Sequence, residues 1–112
     1  MNDLDRTLSA LADPARRAVV ERLRLRPHRA GELAAALDLP PPTMSRHLRV
    51  LRATGLVEER HGGEDARVRL YRLRPQALGG LRRWLDDVER FWTLQLESFR
   101  RHAEGAGGRN VR

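Results

Sequence analysis

The stretch GELAAALDLPPPTMSRHLRVLRATG, residues 31–55, decides the fold. Residues 32–37 read as a short helix with Leu33, Ala34 and Leu37 on one side. Asp38-Leu39-Pro40 is a turn. Residues 41–53 read as a second helix whose buried stripe is Met44, Leu48 and Leu51, with Val50 alongside. The other face of that helix shows Thr43, Ser45, Arg46, Arg49 and Arg52. Proline is tolerated in a first helical turn, because the missing N–H has no helical partner there. Thr54-Gly55 stops the helix, with Gly55 as a left-handed cap.

Toward the C-terminus the period changes. Residues 56–61 and 67–73 read as strands, with Val68-Arg69-Leu70-Tyr71-Arg72-Leu73 mixing apolar and Arg positions in near alternation, and Gly62-Gly63-Glu64-Asp65 between them is a cluster of turn formers. This predicts a β-hairpin. Pro75 opens a last long helix, expected to end near His102, with a stripe of Leu81, Leu85, Val88, Trp92, Gln95 and Phe99. The four-three-four-three-four spacing approaches a coiled-coil seam. Toward the N-terminus, Asn2 or Asp3 caps a first helix reaching about Ala12, with Leu4, Leu8 and Leu11 in one stripe. Asp13 caps a second helix over residues 14–25, with Pro14 at its first position. Ala15, Val19, Val20 and Leu23 are expected inside, and Arg16, Arg17, Arg22, Arg24 and Arg26 outside. The element order is α-α-α-α-β-β-α, mainly α with a β-hairpin wing, which spells a winged helix-turn-helix. One domain over residues 1–104 is expected, followed by a Gly-rich disordered tail over residues 105–112.

The chain has 112 residues and 12.8 kDa, the size of one domain. So short a domain buries a modest fraction of its surface, and a dimer interface would help it. Cysteine is absent, which excludes disulfides, thiolate metal sites and Cys nucleophiles. No signal peptide or membrane span is expected, and the location expected is cytoplasmic. The net charge is +7, and all 22 basic residues are arginine. Residues 14–30 hold six Arg against one Glu, and residues 41–55 hold three Arg and no acid. Such concentration points to a polyanion partner or to a solvated helix face.

Leu11-Ala12-Asp13-Pro14-Ala15-Arg16-Arg17, Glu32-Leu33-Ala34, Ser45-Arg46-His47-Leu48-Arg49-Val50-Leu51, Gly55-Leu56-Val57 and Tyr71-Arg72-Leu73 form an ordered set. Over roughly residues 4–100 they resemble the ArsR-type family of bacterial winged-helix repressors. The resemblance implies a homodimer built on the first and last helices, so Leu4, Leu8, Leu85, Val88, Trp92 and Phe99 are the interface candidates. It also implies that helix 41–53 lies in the major groove of double-stranded DNA, on an imperfect palindrome, with the hairpin of residues 56–73 as wing. On that basis Thr43 offers a hydroxyl or a methyl, Arg46 a guanine or phosphate fork, and Ser45 and His47 donors to phosphate. Arg49 serves phosphate or solvent. His47 reads equally as a partly buried, hydrogen-bonded histidine. Arg67 and Arg69 suit a narrow minor groove, or equally blunt an edge strand.

Two departures from the family pattern matter. Pro40-Pro41-Pro42 replaces the usual Ser or Thr cap, so base readout leans on Thr43, Arg46 and the wing. Arg29-Ala30-Gly31-Glu32 keeps only the Glu half of a capping box. At the positions of the family's cysteine metal site stand Arg29, Gly31 and Ala34, which cannot ligate. The last helix carries Asp86, Asp87 and Glu89 but only His102 near its end, which does not make a tetrahedral site. Neither metal nor cofactor is expected, and the sequence names no small-molecule effector. An aromatic group, Trp84, Phe91, Trp92 and Phe99, reads as dimer core before it reads as a ligand pocket.

Two other function classes compete. A winged helix can serve as a protein-interaction module without reading DNA. An enzyme finds no support: Ser45 and His47 do not face each other on a helix, and no phosphate loop or metal motif is present.

Overall fold

The computed structural model describes residues 2–61 and 67–110, with side chains through residue 105. The expected turn residues Gly62-Gly63-Glu64-Asp65 lie outside the described residues. The elements are α1 (Asp3–Leu11), α2 (Pro14–Leu25), α3 (Ala30–Ala36), α4 (Pro41–Ala53), β1 (Val57–His61), β2 (Arg69–Leu73), a 3-10 turn (Pro75–Leu78) and α5 (Gly79–Asn110). Residues through Leu81 form one compact unit and residues from Arg82 on form another.

Local chemistry sets the helix starts. Asn2 Oδ1 accepts the Asp5 N–H at 2.8 Å and caps α1. Asp13 Oδ1 accepts from the Ala15 and Arg16 N–H groups at 2.7 and 3.2 Å and caps α2, with Pro14 next to it. Those bonds, the Arg16 N–H first, hold the Asp13 carboxyl below its ordinary range. Glu32 accepts the Arg29 N–H at 3.0 Å, so the half box at α3 does form. That bond is the main reason the Glu32 carboxyl is also acidified. Pro40 precedes α4 with no side-chain cap, as its chemistry requires.

The turn between α3 and α4 closes as a Schellman motif. The Leu39 N–H reaches the Ala34 carbonyl at 2.9 Å, and the Asp38 N–H reaches that of Ala35 at 3.3 Å. Asp38 takes the left-handed position at φ 53°, where its short polar side chain is tolerated. Gly55, at φ 78°, ends α4 in the same conformation, as its sequence position predicts. Thr54 secures that end by donating to the Leu51 carbonyl at 2.6 Å and accepting the Leu56 N–H at 3.1 Å.

The core of the first unit is Ala10, Val19, Leu23, Leu33, Ala34, Met44, Leu48, Leu51, Leu56 and Val57. It joins α1–α4 to the base of the hairpin. Strands β1 and β2 pair antiparallel with Val57 opposite Leu73 and His61 opposite Arg69. His28 adds an isolated bridge to Tyr71, with N–O distances of 3.0 and 2.8 Å. His28 is also buried, and its Nδ1 donates to the Arg26 carbonyl at 2.9 Å.

Five boundaries differ from expectation. α3 starts two residues earlier, because Glu32 captures the Arg29 N–H. The hairpin strands are shorter, beginning at Val57 and Arg69. Pro75 opens a 3-10 turn, and α5 starts only at Gly79. The last helix runs past His102 to Asn110, so its backbone includes most of the Gly-rich segment expected as a disordered tail. No described helix is long and apolar enough to cross a membrane.

Candidate nucleic-acid interface

α4 buries Met44, Leu48 and Leu51 and so fixes what its opposite face displays. Ser45, Arg46 and Arg49 are exposed, and Thr43 is half-buried. Arg46 Nη2 donates to Thr43 Oγ1 at 3.4 Å, one turn back. These four residues share one side of one helix, with no acid anywhere in it. His47 sits at the margin of that side and is half-buried. Its Nδ1 lies 3.4 Å from Arg16 Nη1 of α2.

Arg16 does not point outward as expected. Its side chain is only 18% exposed. Nε donates to the Ala10 carbonyl at 2.7 Å and Nη2 to the Ser9 carbonyl at 3.3 Å. Arg17 Nη1 donates to the Leu11 carbonyl at 2.7 Å. Both arginines thus bind carbonyls of the last turn of α1, that of Ser9 also taking the Ala12 N–H at 3.3 Å, where a cation is also favoured by the helix dipole. Arg24 and Arg26 pair at the surface with Glu21 and Glu32, at 3.1 and 3.2 Å. Much of the charge counted over residues 14–30 is therefore structural or locally neutralised.

The wing holds two carboxylates that the sequence reading passed over. Glu59, its side chain 14% exposed, meets Arg52 of α4 at 3.1 Å and Arg69 of β2 at 3.0 Å. It also accepts from the Tyr71 hydroxyl at 3.3 Å. Burial, then the Glu59 charge, pushes the Tyr71 phenol above its ordinary pKa. On the other face of the hairpin Glu58 gathers Arg72, Arg60 at 2.9 Å and Arg74 at 3.3 Å. The Arg72 hydrogen bond is the first cause of its lowered pKa. Arg69 is thus a bridged residue rather than plain edge-strand charge, and Arg67 is exposed beside it. The pairing of Glu58 opposite Arg72 and Glu59 opposite Tyr71 was the available signal, and it needed the register to be seen.

The apolar candidates stay uncovered within each unit. In the first, Leu4 is half-buried and Leu8 is 40% exposed, because α1 turns Thr7 and Ala10 to the core. In the second, Leu85, Val88, Trp92 and Phe99 are all exposed, Phe99 to 72%. Among the described residues no group of three or more His, Cys, Asp or Glu could hold a metal ion.

Comparison with known proteins agrees with this geometry. A family model described as a helix-turn-helix domain matches residues 11–60. The HTH-type transcriptional regulator Rv2034 of Mycobacterium tuberculosis is 42% identical over 103 residues, 92% of this chain and 91% of that protein. The crystal structure of the ArsR family transcriptional regulator RHA00566 superposes with a TM-score of 0.73 at 30% identity, covering 82% of this chain and 98% of that one. The homodimeric winged helix-turn-helix DNA-binding domain Mb0332 of Mycobacterium bovis, described as a possible ArsR-family regulator, gives a TM-score of 0.60. Its identity is 25%, and 78% of each chain is covered. With the helix-turn-helix, the wing and these relatives in agreement, the chain belongs to the ArsR-type family of winged helix-turn-helix transcriptional regulators, a family of regulators and not of enzymes.

Proposed function

We propose that the chain is a homodimeric, sequence-specific DNA-binding repressor, with α4 in the major groove and the hairpin of residues 56–73 as wing. The observation that carries this reading is the acid-free outer side of α4, where Ser45, Arg46 and Arg49 are exposed above a rigidly packed stripe. Arg46 takes a guanine edge or a phosphate, Thr43 a base through hydroxyl or methyl, and Ser45, His47 and Arg49 take phosphates. Arg67 and Arg69 follow the neighbouring backbone or minor groove. Two copies pair through α1 and α5, with Leu4, Leu8, Leu85, Val88, Trp92 and Phe99 between them. Exposed aromatic side chains on α5 and the homodimeric state of the Mb0332 domain support that pairing. The paired α4 helices then meet half-sites of an imperfect palindrome about 34 Å apart. Occupying promoter DNA represses by exclusion, and such a partner implies work in the cytoplasm.

Fluorescence anisotropy on duplexes from the adjacent intergenic region tests the reading. Binding weakens steeply with salt, as Arg–phosphate contacts release counterions. Arg46→Ala lowers specific affinity roughly tenfold or more, the worth of ~1–3 kcal/mol in a good base contact. It leaves the melting temperature unchanged, because among the described residues Arg46 makes one long surface contact, to Thr43. Normal binding by that variant overturns the assignment of the reading face. A protein that ignores duplex DNA at low ionic strength is an interaction module instead.

A further inference from the structure

The Arg16–His47 contact joins a guanidinium immobilised by α1 to an imidazole on the edge of the α4 reading face. Arg16 is held from three sides. The Ala10 and Ser9 carbonyls take its Nε and Nη2 at 2.7 and 3.3 Å, and Asp13 Oδ2 stands 3.8 Å from Nη1. What remains of Nη1 is directed at His47 Nδ1, 3.4 Å away. A guanidinium only donates, so the nitrogen it faces must accept. Neutral imidazole has one accepting nitrogen and one N–H, and imidazolium has no acceptor at all. An Nδ1 that accepts this hydrogen bond carries no proton, and the single proton of the neutral ring then resides on Nε2, at its far end. The Asp13 carboxylate, the other charged group at this junction, is already occupied by two N–H groups of α2 and by Arg16.

We propose that Arg16 is a positioning residue for DNA recognition, which fixes His47 as the neutral tautomer whose Nε2–H donates to a phosphodiester oxygen. This rests on the DNA-binding reading above. Arg16 itself touches no DNA. It sets the direction and the proton of a donor on α4, as the partner on one ring nitrogen sets the state of the other. The ligand is a backbone phosphate and not a base edge, because a half-buried ring at the margin of the helix offers one donor and no fork.

Long-range proton–nitrogen correlation spectra of the full chain, with nitrogen-labelled histidine at neutral pH, read the tautomer directly. The His47 signals are assigned by their loss in His47→Gln. The Nε2–H form is expected in the free protein, and an imidazolium or an Nδ1–H form overturns the proposal. Substitutions at His47 leave the Arg16 anchor intact. His47→Gln carries an amide N–H near the place of Nε2 and keeps duplex affinity within about threefold. His47→Asn reaches only the place of Nδ1, and it loses about tenfold or more, the usual worth of a hydrogen bond to a charged acceptor. Wild-type affinity in His47→Asn overturns the proposal. Arg16→Met mixes the two tautomers and weakens binding severalfold, with circular dichroism confirming that α1 and α2 persist. An unchanged spectrum in a folded Arg16→Met also overturns it. A wild-type protein with the Nε2–H signature that binds no duplex refutes the DNA reading instead, so the two failures are told apart.

Discussion

Glu59 is the acid on which α4 and the wing converge, and on the proposed function replacing it with glutamine should make the protein bind DNA less selectively. The side chain is nearly covered and its two oxygens hold Arg52 and Arg69 at 3.1 and 3.0 Å. In Glu59→Gln the amide keeps the volume and one acceptor for the Tyr71 hydroxyl while the charge is removed. Both arginines are more than half exposed, so each lost pair costs only about 0.5–1 kcal/mol. Stability to urea therefore falls by about 1–2 kcal/mol, and the chain stays folded. The effect on DNA is of opposite sign. Two cations released from an internal anion become available to phosphates, and each added phosphate contact steepens the slope of log K against log salt by about 0.9. Anisotropy titrations on a random-sequence duplex should show a slope steeper by about 1–2 and tighter binding at low salt. The preference for the cognate site over random sequence should shrink accordingly. An unchanged or shallower slope refutes the reasoning. It would mean that Arg52 and Arg69 reach phosphate only because Glu59 aims them.

Leu48→Ala deletes a fully buried side chain of α4 and should cost about 2–5 kcal/mol in urea unfolding. Trp92→Glu on α5 should leave helicity intact and give a monomer by light scattering, because the exposed apolar face there is the one proposed to pair. A surviving dimer moves the interface elsewhere. Asp13, Glu32 and Glu58 are all more acidic folded than unfolded, so their contribution is whole above the ordinary values of 3.8 and 4.5. Chemical denaturation across pH should show stability falling as pH drops through those values. Tyr71 has the opposite sign. Its phenol is held protonated in the fold, so its contribution is lost as pH rises past the ordinary 10.0, and alkaline titration should show stability falling there.

What could be read before the structure was what local chemistry decides. The bounds of α2 and α4 follow from Asp13-Pro14 and from the proline run closed by Gly55, signals that lie within a few residues of the helix end. The helix-turn-helix and the change of period into the hairpin are local in the same sense. The long-range groupings were not legible. Arg16 looks like any outward arginine of an amphipathic helix until α1 is folded against α2 and its carbonyls come within reach. Its meeting with His47 spans 31 positions. Glu58 and Glu59 differ by one residue yet serve opposite faces of the hairpin, a division set by the pleat and the strand register. His28 passes for a loop residue because its strand partner, Tyr71, arrives from far along the chain.

The three successive prolines at the head of α4 have a consequence for anion capture. A helix ordinarily begins with a crown of unpaired amide hydrogens, which attracts oxyanions without help from side chains. Here Pro40, Pro41 and Pro42 carry no such hydrogen, and the Met44 amide is already turned to the Pro40 carbonyl at 3.1 Å. Thr43 keeps the sole amide left at that tip. The leading end of the rod offers an oxyanion a single amide yet is conformationally fixed, so most of whatever selectivity it has must be spoken by side chains farther along.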